Sequence, residues 1–167
     1  AVLAEELKKR GFVLVAGGTS NHLILADVHQ SFGIDGGVAE KALDKVGLNL
    51  NKNSVPNDKL PPFRPSGIRL GTPAITTRGL KEKDMVKIAE WMKQAIDARE
   101  DEAKLAAIHE EVKAFSRQFP LPSDTRTASC DDCKTCCTDC KDCKCGETHP
   151  SKTCKCGETC SCDPCKC

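Results

Sequence analysis

In four stretches of the chain, apolar residues recur every three or four residues, as they do on the buried face of a helix. The first stretch, residues 2–10, stops at Gly11, because glycine readily adopts the left-handed conformation that ends a helix. The second follows Asp35, a favourable N-cap residue, and stops at Gly47. The remaining two stretches cover residues 81–98 and 102–118. The pattern therefore predicts four helices.

Shorter apolar runs between the helices predict β-strands. Residues 12–15 and 22–25 are apolar runs on either side of a Gly-rich turn, which indicates a pair of strands. Leu48 and Leu50 alternate with asparagine and predict a third, short strand before a proline-rich loop.

A fourth strand is predicted where Ile68 and Leu70 flank Arg69. Alternation along a strand places the guanidinium on the face opposite the two aliphatic side chains. From this spacing alone, Arg69 is an arginine on the polar face of a strand, paired with a neighbouring glutamate. The order of the elements predicts an α/β fold in which helices cover a small sheet.

The composition changes abruptly near the end of the chain. All thirteen cysteines lie between Cys130 and Cys167, in a segment without Val, Ile, Leu, Met, Phe, Trp, Tyr or Ala. Such a segment has no apolar surface to bury, so we expect it to lack regular secondary structure without metal. The sequence predicts a folded domain over residues 1–123, a linker over residues 124–129 and a cysteine-rich tail over residues 130–167.

Charge and hydropathy argue against several classes of partner. The formal net charge is +1, so no strong field favours nucleic acid or an anionic membrane. No apolar run approaches the roughly 18 residues of a spanning helix. The first charged residues follow the apolar ones, unlike in an export signal, so we expect a cytoplasmic location. The chain begins without Met inside a predicted helix, which is typical of a fragment.

Four motifs in the first 123 residues carry a family resemblance. They are GGTSNH, IDGGVAEKALDKV, NKNSVPND and SGIRLGTPAITTRG, at residues 17–22, 34–46, 51–58 and 66–79. Together they resemble serine hydroxymethyltransferase, and FPLP near residue 120 resembles the end of that family's chain. The resemblance implies the small C-terminal domain of an aminotransferase-like fold. It also implies an enzyme family that interconverts serine and glycine with pyridoxal phosphate and tetrahydrofolate.

The resemblance implies two binding residues. Arg69 lies at the position of the family's arginine that binds the substrate carboxylate, for which a planar guanidinium offers two parallel hydrogen bonds. Asn53 matches the asparagine that hydrogen-bonds the pterin ring of folate, since an amide both donates and accepts. Without the motif, Asn53 is interpreted as a turn residue. Arg78 and His22 are interpreted as structural residues.

The resemblance implies no catalytic residue in this chain. In the family, the lysine that bonds to pyridoxal phosphate and the acidic partner of the cofactor's ring nitrogen lie upstream. Six lysines lack the context of that lysine's motif: Lys8, Lys9, Lys41, Lys45, Lys52 and Lys59. We therefore predict that the chain alone does not turn over serine. Activity is expected to need the missing N-terminal domain or a homodimer.

The tail offers a second candidate chemistry. Its C-x-x-C and C-x-C spacings suit thiolates that hold and bridge soft ions, so we expect Zn(II), Cd(II) or Cu(I). The segment resembles a metallothionein and repeats CKCGET. The candidate ligands are Cys130, Cys133, Cys136, Cys137, Cys140, Cys143, Cys145, Cys154, Cys156, Cys160, Cys162, Cys165 and Cys167. His149 is interpreted as a solvated residue between them.

Three alternatives to metal clustering stay open for the tail. They are a disulfide-rich appendage, a zinc ribbon or finger, and an altered reading frame without a selected function. For the whole chain, two classes of function follow: part of a serine hydroxymethyltransferase, or a soft-metal-binding protein with the front domain as carrier. An enzyme with a metal-sensing tail would combine both.

Overall fold

The computed structural model describes residues 1–121, in which Ala1–Phe119 form one compact unit. The helices are α1 Val2–Lys9, α2 Val28–Phe32, α3 Gly36–Lys45, α4 Pro73–Thr77, α5 Glu82–Asp97 and α6 Glu102–Ser116. The strands are β1 Val13–Leu14, β2 Leu23–Asp27, β3 Asn51–Asn53 and β4 Gly67–Gly71. No helix among these residues is long and apolar enough to cross a membrane. The predicted linker and tail lie outside the described residues.

The four predicted helices are confirmed as α1, α3, α5 and α6, and local signals set their ends. The Asp35 carboxylate accepts a hydrogen bond from the Val38 amide at 3.0 Å and caps the start of α3. Gly11 and Gly47 follow the ends of α1 and α3 with φ of +87° and +80°. Those left-handed values are the ones for which glycine is favoured.

The third strand lies three residues further along the chain than predicted. Leu48 does not extend into a strand, because its amide donates to the Leu43 carbonyl at 2.9 Å and completes the end of α3. The strand β3 begins at Asn51, where it pairs with Arg69 of β4. Leu50 instead packs half-buried against the core.

Two five-residue helices were not expected. Helix α2 starts at a capping aspartate, Asp27, whose carboxylate accepts from the Gln30 amide at 2.8 Å, and it ends at Gly33. Helix α4 begins with Pro73, whose fixed φ suits a first helical position. Neither helix is long enough to show an apolar repeat, so periodicity could not reveal them.

The sheet is antiparallel throughout, with the strand order β1-β2-β4-β3. Ile24, Ala26 and Ile68 are buried on the face that the helices cover. The predicted α/β layer, with helices packed on a small sheet, is thus confirmed for the described part of the chain. The opposite face remains open among residues 1–121: Leu23 is 43 % exposed and Arg69 is exposed.

Helix α5 lies at the centre of the helical layer and contacts α1, α3 and α6. Its predicted apolar stripe is confirmed as buried: Met85, Ile88, Ala89, Met92 and Ile96. Trp91 adds a contact with α6. Its indole Nε1 donates to the Glu111 carboxylate at 3.0 Å, and its ring meets the Phe115 ring edge-on with 5.3 Å between centroids. These contacts fix α6 against α5.

Candidate ligand-binding site

Both candidate binding residues lie on the open face of the sheet. Arg69 occupies the middle of β4, opposite Leu25 of β2 and Asn51 of β3. Directly opposed residues of antiparallel strands present their side chains on the same face. Because Ile68 is fully buried on the other face, the guanidinium lies on the open side, as the alternation predicts.

The guanidinium of Arg69 is held at one edge. Its Nε donates a hydrogen bond to the Asn51 side-chain oxygen at 3.3 Å, and the Asn51 amide nitrogen donates to the Lys52 carbonyl at 2.9 Å. No carboxylate among residues 1–121 forms an ion pair with Arg69, so the expected glutamate partner is not found there. The arrangement is suited to a carboxylate supplied by a ligand.

Asn53 is the last residue of β3 rather than a loop residue. It lies opposite Gly67 and two residues beyond Asn51, so its side chain is on the same face as that of Arg69. Its amide nitrogen donates to the Ser54 carbonyl at 2.7 Å. The structure therefore brings the two candidate residues together on adjacent strands.

Apolar side chains border these polar groups. Leu25 is half-buried between the strands, while Leu23 and Val13 are 43 % and 36 % exposed along the same face. The surface thus combines a cation, an amide and an apolar strip. Such a combination can bind a small ligand that carries a carboxylate and a flat polar ring.

Two residues near the site were not singled out from the sequence. Asn51 orients Arg69, and Asp58 accepts hydrogen bonds from both ends of the loop between β3 and β4. Both stand in the NKNSVPND motif, but their hydrogen-bond partners depend on strand register and loop closure. No local pattern encodes those contacts.

A second carboxylate holds the same loop to α3. Asp35 accepts from the Arg64 guanidinium at 3.0 Å as well as from the Val38 amide. Burial raises the pKa of Asp35, but the hydrogen bonds from Arg64 and Val38 outweigh it, so the pKa lies below its usual value. The loop is therefore tied to the start of α3 by a charged pair.

The residues interpreted as structural lie away from the open face. Arg78 donates to the carbonyls of Phe119 and Ser116 at 2.7 and 2.8 Å and so caps the end of α6. His22 is exposed beside the turn before β2. It borders a cavity of about 350 Å³ with Thr72, Thr76 and other residues, and neither Arg69 nor Asn53 lines that cavity.

The described residues do not fit pyridoxal phosphate. A lysine that serves an enzyme by bonding to this cofactor is usually activated by a desolvated pocket or by a neighbouring cation. Every lysine of residues 1–121 is exposed except Lys93, which is half-buried and bound to Asp97. Lys52, the nearest in sequence to Asn53, passes beside Gly37 of α3 and so lies on the face opposite Arg69.

Metal ligands were predicted only in the tail, which lies outside the described residues. Within residues 1–121, no group of three His, Cys, Asp or Glu side chains could hold a metal ion. The thirteen cysteine assignments therefore stay predictions.

The fold and the site define an α/β domain with a polar, partly open sheet face suited to a small anionic ligand. Over residues 1–92 the chain matches the serine hydroxymethyltransferase family. A serine hydroxymethyltransferase of Acidobacterium capsulatum is 50% identical over 119 residues, which is 71% of this chain and 28% of that relative. The chain belongs to the serine hydroxymethyltransferase family, and it spans under a third of the length of this relative.

Proposed function

We propose that residues 1–123 contribute the carboxylate-binding and folate-binding part of a serine hydroxymethyltransferase active site. The observation that supports this role is Arg69 itself. It lies exposed on the open sheet face, is oriented by Asn51, and has no ion pair within the described part of the chain. A guanidinium held this way would bind the carboxylate of serine or glycine, and Asn53 would hydrogen-bond the pterin of tetrahydrofolate.

Pyridoxal phosphate would be bound by the remainder of a complete family member, or across a homodimer that includes it. Within this division, the side chains of residues 1–121 bind and orient the substrate and take no part in bond making or breaking. This division agrees with the poor fit of the described lysines to the cofactor. It also implies that the chain alone does not convert serine to glycine.

Reconstitution tests the binding role. The full chain would be mixed with the part of the Acidobacterium capsulatum relative that lies outside the matched region, with pyridoxal phosphate and tetrahydrofolate. We expect serine cleavage from the mixture, and a loss of about 100-fold or more with Arg69→Ala, since misplacing a substrate costs that much. Arg117→Ala, an exposed arginine just beyond α6, is the matched control and should leave the rate unchanged. Equal rates for Arg69→Ala and the native chain would refute the proposal.

The inactivity of the isolated chain has its own test. Pyridoxal phosphate would be added to the chain alone, and its absorption spectrum recorded with and without serine. We expect no lysine-dependent band and no turnover. A specific band that one Lys→Arg variant abolishes would contradict this expectation.

A second candidate function rests on the composition of the tail. We propose that Cys130–Cys167 bind several soft metal ions through shared thiolates, because thirteen cysteines without apolar neighbours leave metal bonds as the main source of order. The full chain would be titrated with Zn(II), Cd(II) and Cu(I) under reducing conditions and weighed by native mass spectrometry. A chain ending at Leu121 is the control. Cysteines that prove to be paired as disulfides, or a tail that binds none of the three ions tightly, would exclude this function.

A further inference from the structure

The Asp58 side chain holds the loop between β3 and β4 together through hydrogen bonds. Its carboxylate accepts four hydrogen bonds: from the amides of Val55, Leu60 and Ser66 at 3.2, 2.9 and 2.9 Å, and from the Ser66 hydroxyl at 2.5 Å. We call this set of contacts the loop clasp. It closes a loop in which most side chains are exposed, among them Phe63 at 74 %.

The loop clasp joins the two strands that carry the candidate binding residues. Val55 follows Asn53 by two residues, and Ser66 precedes Arg69 by three. Ser66 is only 3 % exposed, and its carbonyl accepts from the amides that begin α2. One end of the clasp is therefore fixed in the core, and the other determines where β3 leaves the sheet.

The clasp depends on the charged form of the carboxylate. A carboxylate has two acceptor oxygens and can serve all four donors, whereas an amide has a single oxygen and an NH2 group that would face other donors. The hydrogen bond from the Ser66 hydroxyl, followed by those from the backbone amides, holds the pKa of Asp58 well below its usual range. The group is thus ionised at neutral pH.

We propose that Asp58 is a positioning residue that sets the separation between the Asn53 amide and the Arg69 guanidinium. Breaking the clasp then disturbs both halves of the site together, although Asp58 touches neither residue. This inference rests on the proposed function for its consequence in catalysis. The effect of Asp58 on the positions of Asn53 and Arg69 can be tested in the chain alone.

Asp58→Asn in the full-length chain tests the structural part. The nuclear magnetic resonance signals of the Arg69 Nε–Hε group and the Asn53 side-chain amide would be compared with those of the native chain. We expect both signals to move beyond their line widths. Asp101→Asn makes the same chemical change at the N-cap of α6, where the carboxylate accepts from the Lys104 amide, and should leave both signals in place.

A milder variant covers the case in which Asp58→Asn does not fold. Ser66→Ala removes the hydroxyl donor and keeps the backbone donor, so it should move the same two signals in the same direction by a smaller amount. Folded Asp58→Asn or Ser66→Ala chains with unshifted Arg69 and Asn53 signals would overturn the inference.

The reconstituted enzyme separates this inference from the proposed function. There, Asp58→Asn should raise KM for serine and for tetrahydrofolate about tenfold or more, with a smaller change in kcat, since positioning affects binding of both ligands. A native chain that reconstitutes no activity would refute the proposed function, and the resonance comparison would still decide the role of Asp58. Unchanged KM values for both ligands in an active mixture would count against the clasp.

Discussion

The hydrogen bond from Arg69 to Asn51 determines which edge of the guanidinium a ligand meets. A carboxylate can bind a guanidinium through its two terminal nitrogens or through Nε and one terminal nitrogen. Because Nε already donates to Asn51, the first mode is favoured. If Arg69 binds a carboxylate as proposed, we expect Asn51 to contribute to specificity without touching it.

We expect Asn51→Ala to raise KM for serine in the reconstituted enzyme by about three- to tenfold, the equivalent of one ordinary hydrogen bond. Arg69→Lys should raise it further, because an ammonium cannot form the two parallel bonds. Asn49→Ala, at an exposed residue before β3, is the control. If Asn49→Ala and Asn51→Ala had equal effects, the orienting role of Asn51 would be wrong.

Only some residue roles in the site could be predicted from the sequence. The face of Arg69 followed from simple alternation, and the structure confirms that placement. The roles of Asn51 and Asp58 did not follow, because each depends on a partner brought near by strand register or loop closure. The ligand roles of Arg69 and Asn53 stay predictions until binding is measured.

Helix α3 meets the sheet through two glycines. The first residue of α3, Gly36, donates its amide to the Pro65 carbonyl at 2.7 Å, and a Cβ there would overlap the Gly67 carbonyl oxygen. A Cβ on Gly67 would itself lie 2.7 Å from Val55 Cγ1. The start of α3 can approach the start of β4 this closely only because Gly36 has no side chain, and the missing side chain of Gly67 leaves room for Val55.

Gly36→Ala should therefore destabilise the domain by about 1–3 kcal/mol, the usual cost of overpacking. Gly18→Ala is the matched control, because a Cβ at Gly18 would meet nothing within 4 Å. Urea unfolding followed by circular dichroism measures both. A Gly36→Ala chain as stable as the Gly18→Ala chain would show that the helix can move away at no cost.

At the element scale, long elements with clear end signals were predictable and short ones were not. Capping by Asp35 and the glycine ends of α1 and α3 gave bounds within two residues of those observed. Helices α2 and α4 span five residues each, too few for a periodic signal. The strand β3 was displaced because Leu48 completes a helix end, which its apolar alternation concealed.

Arg78 links parts of the molecule that are distant in sequence. Through its hydrogen bonds to Ser116 and Phe119, it joins the loop after α4 to the end of α6. The last carbonyls of a helix lack intrahelical donors. The guanidinium donates to one of these, on Ser116, and to the carbonyl of Phe119 three residues beyond it.

We expect Arg78→Ala to lower the free energy of unfolding by about 2 kcal/mol, since two hydrogen bonds from a charged donor to part-buried carbonyls are lost. Hydrogen exchange should accelerate first in the last turn of α6. Arg117→Ala, with an exposed side chain at the same helix end, should change neither quantity. Uniform acceleration over all helices would argue against a local cap.

The abrupt change in composition near the end of the chain indicates that the stability of the folded domain does not depend on the tail. Within residues 1–121, every residue of the buried core lies at or before Val112, while residues 130–167 offer no large apolar side chain. A chain ending at Leu121 should keep the thermal unfolding midpoint of the full metal-free chain within about 2 °C, the shift expected for under 0.5 kcal/mol. A clearly lower midpoint would show that the domain boundary is misplaced.

Trp91 gives the chain a built-in optical probe. It is the single tryptophan, and the chain contains no tyrosine, so ultraviolet emission comes almost entirely from one indole. That indole is 2 % exposed, with Lys87 Nζ 4.9 Å from its ring centroid. Separation of α6 from α5 would bring water to the ring and shift its emission to longer wavelength. The separation of these two helices can therefore be followed by tryptophan fluorescence in unlabelled protein.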